Sequence, residues 1–269
     1  MERILKLQEV LQKYPSTEKI IEENNIDLEE LGEIYINYIN SRSSYENQAE
    51  FIANILRGNP NIHTVKSRIK QSDRLVEKII RKTVDRKNKY GDNFKFTVEN
   101  YKEEINDIIG VRVMHIFKDE WEQIHNFIND TWKVIEITAN VRAGDNTEKF
   151  NDLDIEVRSR PSGYRSVHYL VELNYTRTNK IIAEIQVRTI FEEGYGEIDH
   201  RLRYSHDNIP DILKSNILLF NRIIGSADEM ASLINSLSNE LLEKDKKHIE
   251  LLDEKDLEIE RLKKILEGK

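Results

Sequence analysis

DIIGVRVMHIF, Asp107 to Phe117, decides the reading of this chain once it is set beside IIAEIQVRT, Ile181 to Thr189. The apolar positions of the first run fit a β-strand opened by an acid and interrupted by Arg112. In the second run Glu184, Gln186 and Arg188 fall on one face, because strand side chains alternate with a period of two. A charge buried without a partner in such a run is strongly destabilising, so these groups serve a ligand, a metal or one another. The pattern points to a nucleotide phosphate accompanied by its divalent ion.

Working outward, residues 105 to 190 carry five strand-like runs: Ile108 to Phe117, Val134 to Thr138, Leu153 to Arg158, Ser166 to Leu173 and Ile181 to Val187. Glu120 to Trp132 reads as a helix between the first two, and Gly144-Asp145-Asn146 and residues 174 to 180 read as turns. Five strands in one block with helices around them predict a mixed sheet and an α+β fold. The order is not a plain βαβαβ alternation, which argues against a doubly wound sheet.

Residues 1 to 57 are expected to be helical, with breaks at Pro15-Ser16 and Asn24-Asn25, and Gly58-Asn59-Pro60 closes that region. A long helix is expected from about Ile62 to Lys87, with Lys66, Lys70, Arg74, Lys78 and Lys82 in an i, i+4 row along one side, roughly 24 Å from end to end. From Lys66 to Lys95 there are eleven Lys or Arg against four Asp or Glu. Such a patch suits a polyphosphate, and it suits RNA. From Asp211 onward the pattern is helical throughout: Ile212, Leu218, Leu219, Ile223, Ile224, Met230, Leu233, Ile234 and Leu237 suggest packed helix. A charged tail follows, in which Leu242, Ile249, Leu252, Ile259, Leu262 and Leu266 form an imperfect heptad seam broken by Asp245, Asp256 and Lys263. The expected division is an N-terminal helical region at 1–58, a catalytic domain at 59–210 and C-terminal helices at 211–269. The tail serves either self-association into a homo-oligomer or packing back on its own domain.

The 269 residues, 38% of them hydrophobic, are enough for one substantial core. No apolar run approaches the roughly 18 to 20 residues needed to cross a bilayer, and the start MERILKLQEV lacks the features of a signal peptide, so no membrane association and a cytoplasmic location are expected. The chain has no cysteine, which excludes disulfides, thiolate nucleophiles and cysteine-ligated zinc and leaves oxygen or histidine as metal ligands. A net charge of −8 argues against a general nucleic-acid binder.

A third run, RPSGYRSVHYLVEL from Arg160 to Leu173, turns sharply at Pro161-Ser162-Gly163 and leaves Tyr164 at the mouth of a strand. Val167, Tyr169, Val171 and Leu173 share one face of that strand, and Ser166 and His168 share the other. A tyrosine with Arg165 and His168 beside it makes a stacking platform with hydrogen-bonding edges, a common way of reading a purine.

RIKQSDRLVEKIIRK, DIIGVR, GYRSVH and EIQVRT occur in this order, and together they resemble the RelA/SpoT-type alarmone synthetases of the small single-domain kind, the GTP pyrophosphokinases that make (p)ppGpp in the stringent response. The resemblance covers about residues 60 to 205. It implies a nucleotidyltransferase-like fold and transfer of the pyrophosphate of ATP to the ribose 3′-hydroxyl of GDP or GTP, with release of AMP. Carried over position by position, Arg68 and Arg112 look like the two planes that sandwich the adenine, and Lys70 and Lys78 like ligands of the ATP phosphates. Asp107 and Glu184 look like the catalytic carboxylates that bind Mg²⁺, with Glu184 also the candidate base for the 3′-hydroxyl. Tyr164 looks like the guanine-stacking residue with His168 beside it, and Arg160, Gln186 and Arg188 match polar positions of the acceptor side. Arg74 and His200 are secondary candidates. Arg74 departs from the small hydroxyl residue often found there, and Ser162 from an asparagine. The dipeptide His206-Asp207 is too little to indicate a hydrolase module. Two other readings remain open at this point: a toxin-type relative that transfers pyrophosphate to the 3′ end of tRNA, and a catalytically silent nucleotide or RNA binder that oligomerises through its tail.

Overall fold

The fold was obtained as a computed structural model, which describes residues 7, 9–176, 179–205 and 210–268. Its centre is a six-stranded sheet. In chain order the strands are β1 (Thr64–Ile69), β2 (Ile109–His115), β3 (Lys133–Val141), β4 (Glu156–Ser159), β5 (Ser166–Thr176) and β6 (Asn179–Thr189). Across the sheet the order is β1-β2-β6-β5-β3-β4. β2 pairs with β6, and β3 with β4, in parallel, and the other neighbours are antiparallel. The sheet is mixed and not doubly wound, as the sequence predicts.

The sixth strand is β1, and it corrects the expectation of one helix from Ile62 to Lys87. Val65 and Ile69 lie four apart and Lys66 to Lys82 recur at four, which imitates a helix over so short a run. What decides is pairing: Thr64 to Ile69 align antiparallel with Met114 to Ile109 of β2. The helix starts only at Ser72 and runs to Tyr90. The row of five cations is therefore split. Lys66 stands on the strand, Lys70 in the connection, and Arg74, Lys78 and Lys82 on the helix.

The described part of the N-terminal region is helical as expected, with α1 (Ser16–Glu23) and α2 (Leu28–Arg57) separated at Asn24 to Asp27, where Asn25 takes φ 48° and the Asp27 side chain caps the first turn of α2. The helix from Ser72 to Tyr90 is α3, and α4 (Tyr101–Glu104) and α5 (Trp121–Thr131) follow. Ile109, Val111 and Val113 of β2, Tyr169 and Val171 of β5 and Ala183, Ile185 and Val187 of β6 share one core with Ile34, Tyr38 and Ile52 of α2, Leu75 and Ile79 of α3 and Ile124 and Ile128 of α5. Those helices cover one face of the sheet. The alternate residues, Gly110 and Arg112, Ser166 and His168, Glu184, Gln186 and Arg188, form the other face. Leu153, expected to open a strand, stands in a turn after α6 (Glu148–Asn151).

After β6 the chain enters α7 (Ile190–Ser205) and then α8 (Asp211–Glu267), a helix of 57 residues. Ile217, Asn221, Gly225 and Asp228 of α8 are buried against the domain. Most apolar residues expected to pack, namely Ile212, Leu218, Leu219, Ile223, Met230, Leu233, Ile234 and Leu237, are exposed instead, and only Ile224 among them is partly covered. They lie on the side of the helix away from its own domain. From Ser236 to Lys264 every side chain is exposed, so the tail does not fold back. Among the described residues no helix is long and apolar enough to cross a membrane. His206 and Asp207 lie outside the described residues, as does the tip of the hairpin expected at 174–180.

Candidate active site

Strand register assembles the site on the face opposite α2, α3 and α5, where α7 lies alongside. Lys66 pairs with Arg112 and Arg68 with Gly110. Gly110 pairs in turn with Glu184, and Arg112 with Gln186. Gln186 faces His168, and His168 faces Thr138. Five strands thus bring side chains of the same parity side by side. Gly110 leaves room for Arg68: a Cβ there would already touch the Arg68 Nε at 3.4 Å.

At one end of this face lies Asp107, just before β2. Lys70 Nζ bonds its Oδ2 at 2.6 Å and Lys78 Nζ approaches its Oδ1 at 2.8 Å. Burial pushes the Asp107 carboxyl up, but the two ammonium groups outweigh it and hold the carboxyl below its usual range. Burial also draws the Lys70 ammonium down, more than Asp107 restores. The backbone around this pair is fixed from behind, since Lys70 N–H donates to Ile108 O at 2.9 Å and the buried Tyr38 hydroxyl donates to Lys70 O.

Glu184 is mostly buried. Its Oε1 lies 3.0 Å from His168 Nδ1, and its Oε2 accepts from Gln186 Nε2 at 2.7 Å. Burial raises this carboxyl, His168 and Gln186 bring it below the ordinary range, and Asp107 is near enough for its charge to push the other way. His168 Nε2 stands 3.0 Å from the Tyr164 hydroxyl, which accepts from Arg188 Nη2 at 2.8 Å. An ionised Glu184 only accepts, so Nδ1–H donates to it, and in the neutral imidazole Nε2 then accepts the tyrosine proton. Arg188, Tyr164, His168 and Glu184 form one directional chain. The Arg188 guanidinium also lies 5.2 Å from the centre of the Tyr164 ring, and burial raises the Tyr164 hydroxyl.

Arg112 points at α7. Its Nη1 bonds Glu193 Oε1 at 3.1 Å and also Glu197. Burial lowers this guanidinium, and the two acids more than compensate. Arg160 Nε donates at 2.6 Å to Asn140 Oδ1, and Asn140 stands opposite Ser166 on the same face as His168. Asp107, Glu184, Lys70, Lys78, Arg68, Arg112, Tyr164, His168, Gln186 and Arg188 are therefore gathered on one face, with Arg160 at its rim. Arg74 is turned toward the N-terminal region, its guanidinium 5.7 Å from the centre of the Tyr14 ring. His200 is exposed on α7. Residues not singled out from the sequence are Tyr38, Asn140, Glu193 and Glu197. The acids at 193 and 197, four apart on the helix just after Arg188, were the one local signal available.

Among the described residues there is no group of three or more histidines and acids that could hold a metal by itself. Asp107 and Glu184 nevertheless suit Mg²⁺, which takes hard oxygen ligands and is bound through one or two carboxylates plus substrate phosphates. Each of their oxygens has one protein partner and a lone pair to spare.

Residues 67–209, more than half of the chain, match the family model for the region found in RelA/SpoT proteins. The chain belongs to the RelA/SpoT family. A curated relative, GTP pyrophosphokinase YwaC of Bacillus subtilis (strain 168), is 28% identical over 158 residues, which are 58% of this chain and 64% of the length of that relative. The crystal structure of the small alarmone synthetase 1 of Bacillus subtilis bound to its product pppGpp has a TM-score of 0.53 at 22% identity, covering 71% of this chain and 93% of that one. The same synthetase bound to AMPCPP gives 0.54 at 21% identity, covering 76% and 96%. These structures share the fold of this RelA/SpoT protein, a mixed sheet with flanking helices.

Proposed function

We propose that this RelA/SpoT protein is a GTP pyrophosphokinase that moves the pyrophosphate of ATP to the ribose 3′-hydroxyl of GDP or GTP. The observation that carries the reading is the division of labour between the two carboxylates of one sheet face: Asp107 held by two lysines, Glu184 held by a histidine that is itself anchored through Tyr164 to Arg188. Transfer of this kind is mostly positioning and charge neutralisation. Lys70 and Lys78 bind the donor's phosphates, and Arg68 and Arg112 offer flat cations to its adenine. Tyr164 stacks on the acceptor base. Glu184, already ionised, takes the proton of the 3′-hydroxyl as that oxygen attacks the β-phosphorus. The bond between the β-phosphorus and the oxygen bridging it to the α-phosphate breaks, and AMP leaves with that oxygen. Asp107 and Glu184 would hold Mg²⁺ together with the polyphosphate, and the bound ion would neutralise charge that develops on the phosphoryl oxygens.

The test is incubation of the pure protein with Mg²⁺, γ-labelled ATP and each acceptor in turn: GMP, GDP, GTP and tRNA. Label on GDP or GTP with matching release of AMP is expected, and Asp107→Asn or Glu184→Gln should lose it while keeping the parent's circular dichroism. Label on tRNA alone, or none with any acceptor, would overturn the reading.

A further inference from the structure

Glu193 of α7 is 6% exposed and sits among three cations. Its Oε1 meets Arg112 Nη1 at 3.1 Å and Lys66 Nζ at 3.8 Å, and its Oε2 meets Arg188 Nη1 at 3.1 Å. One buried carboxylate therefore joins an arginine of the donor side to an arginine of the acceptor side. Removing one member of such a buried ionic cluster leaves the others uncompensated. Arg112 has a second acid in Glu197, one helical turn further on. Arg188 is enclosed otherwise by Tyr164, Gln186 and the Cα of Gly196, where an added Cβ would come within 3.1 Å of Nη1.

We propose that Glu193 is a positioning residue that couples the donor and acceptor halves of the site, by holding the guanidinium planes of Arg112 and Arg188 through one rigid helical turn. The inference rests on the pyrophosphokinase reading and adds to it a link between the two substrates. An acid bonded to the edge of a guanidinium fixes its plane and leaves its faces open for stacking, so Arg112 presents a flat cation to a base without first being ordered. The same acid fixes Arg188, and through Arg188 the hydroxyl of Tyr164. A nucleotide that settles on Arg112, or on the Tyr164 that Arg188 holds from behind, then stiffens the other side through Glu193, and binding of one substrate favours binding of the second. Glu197, which touches Arg112 and not Arg188, serves the donor half alone.

The experiment measures binding of a non-hydrolysable methylene analogue of ATP, and of the acceptor nucleotide identified by the label-transfer assay, by titration calorimetry, each alone and each with the other saturating. Parent, Glu193→Gln and Glu197→Gln are compared, with thermal melts to confirm that all three fold. Glu193→Gln is expected to weaken both nucleotides by about tenfold each, close to 1.4 kcal/mol, and to abolish the tightening of one by the other. Glu197→Gln is expected to weaken the ATP analogue and leave the acceptor unchanged. The inference is overturned if Glu193→Gln weakens only one nucleotide, which would make the acid a ligand of that side alone, or if mutual tightening persists in the variant. Failure of the pyrophosphokinase reading looks different: the parent itself would then transfer no label to a guanosine nucleotide. In that event the ATP analogue and Glu193→Gln still decide whether the acid orders Arg112.

Discussion

Asp228 offers a test that needs no substrate. It reaches from α8 to the end of β6, is 1% exposed, accepts from the Thr189 hydroxyl at 3.1 Å and has Lys118 Nζ at 3.8 Å. Burial, reinforced by the charge of Glu192, pushes its carboxyl from the usual 3.8 up to about 7, while Lys118, Thr189 and Arg165 pull the other way. The folded protein thus keeps a proton that the unfolded chain releases near pH 4. Stability falls as pH rises from there and reaches its full loss above about 7. At roughly 1.4 kcal/mol for each tenfold change in proton affinity, the whole effect has an upper bound of roughly 4 kcal/mol. Asp228→Asn keeps the shape and the acceptor for Thr189 but cannot ionise. Its advantage over the parent should grow by roughly 2–3 kcal/mol between pH 5 and pH 8, a difference of roughly 5–10 °C in melting temperature for a chain of this size. Thermal melts of both proteins across that range give the answer. Parallel curves would refute the argument, since they would mean that Asp228 ionises in the fold as freely as it does in water.

Gly196→Ala should separate stability from function. Alanine in a helix interior gains about 1 kcal/mol over glycine, yet its Cβ would press on Arg188 at 3.1 Å, so melting temperature should hold or rise while the acceptor KM increases by about tenfold; an unchanged KM would show that the Arg188 position does not matter. Tyr38→Phe removes the hydroxyl that bonds Lys70 O from within the N-terminal region. Its expected effect is a loss of about 1 kcal/mol in stability and a rise in the ATP KM with the acceptor KM unmoved, measured by steady-state kinetics in both substrates. Lys78→Gln takes away one of the two cations that hold Asp107 low. Because Asp107 acts as a carboxylate, activity in the variant should begin to fail at a higher pH on acidification than in the parent, and coincident acid limbs would contradict the role given to Lys78.

The parts of this molecule that could be read in its sequence are those whose signal is local and repeats. β2 and β6 alternate core and site residues over enough positions for the period of two to show, and the polar faces of Arg112, Glu184, Gln186 and Arg188 follow from that alternation. β1 fails the same reading because TVKSRI is too short to separate a period of two from one of four, and because its cations run in phase with those of the helix behind it. Only the partner strand, more than forty residues later, settles it. Glu193 and Glu197 show the same limit from another side. Their spacing of four places them on one helical face, but Arg112, the residue that gives that face its meaning, lies 81 and 85 positions earlier. In α8, apolar residues recur on two sides of the helix, and periodicity cannot say which side meets the domain. Asn221 and Asp228, polar residues that a sequence reading assigns to solvent, mark the buried side, because Arg165, Gly163 and Thr189 supply their partners. Local pattern therefore selects the elements, while the polar contacts that bind them into a site depend on residues distant in the chain, and those contacts are where substitutions such as Glu193→Gln and Asp228→Asn should have their largest effects.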